Sequence, residues 1–259
     1  MNSTNPDISF KPDAIRRQWH RLAGNPELVI LDGFHALKHA IRFGGHVRMV
    51  VCSSPAAALS LVNSHAPDIG PAIEALITPV DKPMLRELVG SVHPTEIAAL
   101  ASKPSYAADT LVRKPRKTPL VLLDNPRNLG NFGAVIRVAA GMRAAGVVSI
   151  GDLDPWHTTI LRGSAGLHYA VPVARVSEIS TVEGTVIAFD AGGVDATKVR
   201  IPSDAVLAFG SERHGLSQAM RERADELVSI PMRHGVSSYN LTTSVAMALY
   251  QWTLDSETR

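Results

Sequence analysis

Apolar residues in this chain come in short runs separated by amphipathic stretches, and the alternation repeats along its length. In the first hundred or so residues, Leu28–Leu31 and Val47–Val51 have the brevity and branched content of buried strands. Asp13–Leu22, entered through Lys11-Pro12, and then Phe34–Phe43, Pro55–Ser64 and Asp81–Val89 predict helices, the second ended by Gly44-Gly45. Glu96–Ala101 returns to apolar material. Further on, Leu120–Leu123, Val147–Ile150, Thr185–Phe189, Ala205–Phe209 and Leu227–Ile230 predict five more strands. Helices are predicted over Phe132–Ala145, from His157–Leu161 onward, and over Asn240–Leu254, where Leu241, Val245, Leu249 and Trp252 share helical spacing. This order of strand, polar loop and helix predicts an α/β protein. Its residues 1–108 form a small α/β domain, 109–118 a basic proline-containing linker, and 119–259 a second domain.

Composition narrows the class. At 259 residues, 45% hydrophobic and 19% charged, the chain has the make-up of a soluble globular protein. A formal net charge of +2 permits an RNA partner without arguing for one. Cys52 is the single cysteine, so no internal disulfide or cysteine-based zinc cluster is available, and a buried reduced thiol is expected. Residues Met1–Pro12 lack the apolar core of a signal peptide, and no stretch approaches about eighteen consecutive apolar residues, so a cytoplasmic protein away from membranes is expected. His35, His39, His46, His65 and His93 are scattered and are read as surface residues rather than metal ligands. The cations of Arg113-Lys114-Pro115-Arg116-Lys117 are read as a solvated connection that could also touch phosphates.

The candidate chemistry gathers around Leu120–Gly146. A buried strand there runs into the turn Asp124-Asn125-Pro126-Arg127-Asn128-Leu129-Gly130 and then a helix. Within that helix, Asn131 stands at the mouth and Arg137 follows about two turns in. An arginine in so apolar a run needs a carboxylate partner or a task. Two later strand ends carry similar polar loops, Gly210-Ser211-Glu212-Arg213-His214-Gly215 and Arg233-His234-Gly235-Val236-Ser237-Ser238. In open α/β sheets ligands collect beyond the carboxyl ends of the strands, so these loops could face one pocket.

Three windows together resemble the SpoU/TrmH group of SPOUT RNA methyltransferases. They are Asn131–Arg137, Phe209–Leu216, and Ile230-Pro231-Met232 followed by Ser238-Tyr239-Asn240. Arg162–Gly166 with Val171-Pro172-Val173 looks like a further family segment. More loosely, Ile30–Leu37 is similar to the small ribosomal-protein-like, RNA-binding domain that many members carry in front, with Asp32 where Glu is usual. Tyr239 stands where Leu or Met is commoner.

The resemblance implies a trefoil-knotted carboxy-terminal α/β domain (parallel sheet, helices on both faces), a homodimer with active sites at the subunit interface, and S-adenosylmethionine as cofactor. It implies methyl transfer to a ribose 2′-hydroxyl of structured RNA, tRNA or rRNA, with no metal. On this reading Arg137 stabilises the developing alkoxide, since a guanidinium with pKa above about 12 is a poor base. Asn131 anchors phosphate or fixes Arg137; Glu212 pairs with Arg137 or Asn131, unless it simply favours a helix dipole. Ser238 and Asn240 position Arg137 or the ribose, or cap the last helix, or both. Phe189, Phe209, Gly210, Ile230, Met232, Ser238, Asn240 and Leu241 are the expected cofactor contacts, and Gly210, Gly215 and Gly235 permit sharp loops. Asn128, Arg127 and Arg162 are candidate RNA contacts, Arg162 equally a surface ion pair. An RNA-binding protein of this fold without transferase activity is the alternative. A dinucleotide-dependent dehydrogenase is disfavoured, because no Gly-x-Gly-x-x-Gly follows the first strand of either half.

Overall fold

Buried apolar runs become strands in both halves of the chain. The computed structural model describes residues 12–106 and 108–257, so Met1–Lys11 and the reading made of them lie outside the described residues. The chain divides into two compact units, Met1–Lys103 and Pro104–Arg259.

The first unit runs α1 (Pro12–Ala23), β1 (Leu28–Asp32), α2 (Phe34–Arg42), β2 (Val47–Cys52), α3 (Pro55–His65), α4 (Gly70–Glu74), β3 (Ile77–Pro79), α5 (Lys82–Val89) and β4 (Ile97–Ser102). Its four strands lie in the order β1-β4-β2-β3, with β4 antiparallel to both neighbours. Trp19 of α1 is wholly buried against Leu85 and Leu88 of α5, and its indole N–H donates to the Leu88 carbonyl at 3.0 Å. Gly33 opens α2 at φ 98°, a conformation side chains resist, and the His93 ring lies 2.8 Å from where its Cβ would be. Asp32 accepts from the His93 amide at 3.3 Å, and the Thr95 hydroxyl accepts from the Phe34 amide at 3.1 Å. Cys52 is fully buried, which pushes its thiol up to about 11.

The second unit runs α6 (Ala108–Val112), β5 (Leu120–Asp124), α7 (Leu129–Gly141), β6 (Gly146–Ile150), α8 (Thr158–Gly163), β7 (Val173–Arg175), β8 (Val186–Asp195), β9 (Val206–Phe209), α9 (Gln218–Arg223), β10 (Glu226–Ser229) and α10 (Leu241–Glu257). The strand order is β10-β8-β9-β5-β6-β7, and every pairing is parallel. Chain order runs outward from β5 through β6 to β7, then crosses to build β8, β9 and β10 on the other side. The reversal falls between β5 and β9, which is where such sheets open a crevice.

Several sequence expectations need adjusting. Helix α7 starts earlier than Phe132, because Asn128 caps it by accepting from the Asn131 amide at 3.0 Å. Strand β8 does not stop at Asp190 but continues to Asp195 along β10. Gly193 allows that pairing, since a Cβ there would stand 2.4 Å from the Val228 nitrogen. Residues 109–118, read as an exposed linker, begin in α6 and are fastened to the unit by Arg116. Its guanidinium donates to the carbonyls of Val112, Arg113, Glu183 and Asp204 at 2.6–3.1 Å.

Candidate active site

Parallel strands place their carboxyl ends on one edge, and four of them, β5, β8, β9 and β10, bound a cleft of 660 Å³ there. That volume suits a small-molecule ligand of cofactor size. Phe189 ends the apolar part of β8 and Phe209 ends β9; their rings stack on each other at 4.6 Å with an interplanar angle of 7° and contribute apolar surface to the cleft. Gly210 follows, packed so closely that a Cβ would fall 2.1 Å from the Gly215 carbonyl carbon. The loop is cinched by paired backbone bonds between Ser211 and Gly215 at 2.9 and 3.0 Å, which pushes Glu212 outward. Asp124, buried at the end of β5, accepts from the Ser217 amide at 2.6 Å and ties this loop to the neighbouring strand.

Asn131 is the hub. Its side-chain amide donates to Glu212 at 2.7 Å, and its oxygen accepts from the Asn240 amide at 3.1 Å. The Thr242 hydroxyl donates to the Asn131 carbonyl at 3.3 Å. Asn240 also accepts from the Thr242 amide at 2.9 Å, so the same side chain caps α10 and reaches across to α7. Ile230, Met232, Ser238 and Leu241 line the cleft along the final loop, with Asn128 at its other edge. The Tyr239 hydroxyl donates to the Pro231 carbonyl at 3.2 Å, which draws the two ends of that loop together.

Arg137 does not join this constellation. It is exposed on α7, is absent from the cleft lining, and has no ion-pair partner among the described residues. Six residues separate it from Asn131, about 240° around a helix, so the two project to different sides. Glu212 is therefore partnered by Asn131 and not by Arg137. Arg127 and Arg162 are exposed outside the lining.

Sequence reading passed over Asp190, Thr242 and Ser244. Asp190 lines the cleft and pairs with Arg221 of α9 at 2.7 Å. A carboxylate placed directly after the apolar run Val186–Phe189 was the available signal. Of the described residues that line the cleft, Asp190 and Glu212 are acidic and none is Lys, Arg or His. The site as one chain builds it is thus rich in acceptors and lacks a cation. Among the described residues, no group of three or more His, Cys, Asp or Glu is placed to hold a metal, and no helix is long and apolar enough to cross a membrane.

Comparisons with known proteins place the chain among RNA methylases. A 23S rRNA (uridine(2479)-2'-O)-methyltransferase of Streptomyces viridochromogenes is 31% identical over 174 residues, covering 61% of this chain and 60% of that protein. A Mycobacterium bovis protein named "Uncharacterized tRNA/rRNA methyltransferase" is 35% identical over 139 residues, 50% of this chain and 43% of its own. The chain therefore spans 60% or less of the length of these two curated relatives. In fold, it is similar to a SpoU methyltransferase from Streptomyces viridochromogenes in complex with the cofactor AdoMet. That likeness has a TM-score of 0.76 at 24% identity and covers 95% of this chain and 98% of the other. Residues 118–250 match the SpoU rRNA Methylase family, a span that begins just before β5 and takes in Asn131, Glu212 and Asn240. With more than half of its length in that match, the chain belongs to the SpoU rRNA methylase family.

Proposed function

We propose that this protein transfers a methyl group from S-adenosylmethionine to a ribose 2′-hydroxyl of structured RNA, rRNA or tRNA. The carrying observation is the junction at Asn131, where loops after β5, β9 and β10 meet over one cleft. The cleft fits the cofactor in three respects. Its volume of 660 Å³ holds a nucleoside-sized body, its Phe189/Phe209 pair offers apolar surface to an aromatic base, and none of its described lining residues is a Lys, Arg or His that would oppose a cationic donor.

When bound, S-adenosylmethionine supplies a methyl group activated by its sulfonium charge. Gly210, Ile230, Met232 and Leu241 would hold the donor's adenosyl portion against the Phe pair, with Ser238 and Asn240 beside it. Glu212 and Asn240 hold the Asn131 amide in one orientation, so Asn131 can meet the RNA backbone without reorganising. Holding two reactants in line supplies several kcal/mol of the barrier, about 7–11 in favourable cases. The donor would supply its methyl group to the ribose oxygen and leave as a neutral thioether, and the ribose proton would pass to a phosphate oxygen or water.

Arg137 is assigned to stabilise the alkoxide as it forms. Because it projects away from its own cleft, we read the working unit as a homodimer in which Arg137 of one copy serves the cleft of the other. Met247, Tyr250 and Leu254 support this reading: they expose apolar surface on α10, the helix that packs beside α7. A trefoil knot through the loops of β9 and β10 is part of the same reading, supported by the family match and by the return of α10 from the sheet edge to α7. The first unit is read as an RNA-binding domain, with Arg127, Asn128 and Arg162 as RNA contacts on the second. A cytoplasmic location agrees with an RNA substrate.

The test is transfer of labelled methyl from S-adenosylmethionine to total RNA of cells lacking the protein, with 2′-O-methyl positions mapped afterwards. New 2′-O-methyl sites are expected. Donor binding without any transfer would leave an RNA-binding protein of this fold, and no donor binding at all would overturn the reading.

A further inference from the structure

Asp190 stands apart from the hydrogen bonds that meet at Asn131. It follows Phe189 on β8, lines the cleft, and its side chain is 17% exposed. Its oxygens are held separately, Oδ1 by the Gly192 amide at 3.0 Å and Oδ2 by the Arg221 guanidinium at 2.7 Å. Burial works to raise this carboxyl, but the Gly192 amide and Arg221 outweigh it and hold Asp190 below the usual carboxylate range. Its backbone is fixed as well, because Gly193 lies tight against β10.

A carboxylate offers about four lone-pair directions, so acceptor capacity remains after these two bonds. Arg221 already balances its charge, which favours a neutral hydroxyl donor over a second cation. Beside it stands the stacked pair of Phe189 and Phe209, which adds apolar surface to the cleft. An ionised side chain where a strand of an α/β sheet passes a cleft, next to apolar surface for a base, is suited to gripping the hydroxyls of a ribose.

Resting on the reading of this cleft as the donor site, we propose that Asp190, positioned by Arg221, accepts hydrogen bonds from the ribose hydroxyls of S-adenosylmethionine. It makes the site selective for ribonucleoside over deoxyribonucleoside donors. A hydrogen bond to an ionised acceptor that is lost without replacement costs roughly 10- to 100-fold in affinity.

The experiment measures binding of S-adenosylhomocysteine and of its 2′-deoxy and 3′-deoxy analogues by calorimetry, on the full chain. The native protein is expected to reject at least one deoxy analogue by roughly 10-fold or more, and Asp190→Ala to bring all three within about threefold of one another. Arg221→Gln is expected to shrink the same ratio and Arg221→Lys to restore part of it, which a purely structural role would not do. Equal binding of all three ligands by the native chain overturns the proposal even if Asp190→Ala does not fold. Undiminished discrimination in a folded Asp190→Ala overturns it too. Failure of the native chain to bind S-adenosylhomocysteine overturns the donor reading itself, and this proposal with it.

Discussion

Asn131 and Glu212 are 81 residues apart in the chain and 2.7 Å apart at the cleft. Residues that act through one shared contact lose their effect together. Asn131→Ala and Glu212→Ala are each expected to lower methyl transfer by roughly tenfold or more, and the double variant by little more than the worse single. A double-mutant cycle on initial rates reads this directly; fully multiplicative losses would remove Glu212 from the task of holding Asn131.

Arg137→Ala is expected to abolish transfer while leaving donor affinity nearly unchanged, because the side chain is outside the cleft of its own chain. Complementation separates the two places it could act. Mixing Arg137→Ala with Glu212→Ala chains gives hybrid dimers in which one cleft is intact and receives an arginine from the other copy. Random pairing then restores about a quarter of native activity, and no recovery after subunit exchange would mean that Arg137 acts within its own chain.

Gly133→Ala tests the packing that presents α7. In an ordinary helix interior this change gains about 1 kcal/mol. Here the new Cβ would meet the Ile160 carbonyl oxygen at 2.6 Å and the Gly163 Cα at 2.9 Å, both backbone atoms of the α8 segment. The sign is therefore expected to reverse, with a loss of roughly 1–3 kcal/mol and a fall in melting temperature. A variant as stable as the native chain would show that α8 can move away freely.

His168 gives the second unit an acid limit. The ring is fully buried, lies 4.7 Å from Trp156, and hydrogen-bonds Pro155 and Ser164 at 2.8 and 2.9 Å. Burial lowers its pKa from 6.5 to about 4, against a smaller opposing pull from the Pro155 carbonyl. The fold holds the neutral ring, whereas the unfolded chain protonates near 6.5. This contribution is complete above that value and is lost as pH falls toward about 4, by at most roughly 3 kcal/mol. Melting temperatures from pH 7.5 to 4.5 should fall more steeply for the native protein than for His168→Gln; parallel slopes would contradict this.

Where a strand is buried on both faces, its sequence announces it. Every residue of β5 is buried, and the run Leu120–Leu123 was legible for that reason. Strand β7 is three residues long and hides beside Pro172, too short for any period to show. The outer half of β8 is partly exposed and rich in Gly and Asp, so only its partner β10 makes it a strand. The motif residues Asn131, Glu212 and Asn240 could be named from the windows that carry them, but which of them bond to which could not. Periodicity fixes the direction of a side chain around its own helix and says nothing about what arrives opposite. Asp190 went unnoticed because it belongs to none of the three windows, and its importance comes from where β8 passes the cleft.

The bond from Asn240 to Asn131 joins the start of α10 to the start of α7 across 109 residues. During synthesis on the ribosome, the α7 side of the cleft emerges long before its counterpart. A nascent chain stalled ahead of Asn240 carries Asn131 and Glu212 but lacks the element that locks them, so the junction closes only once α10 has been made.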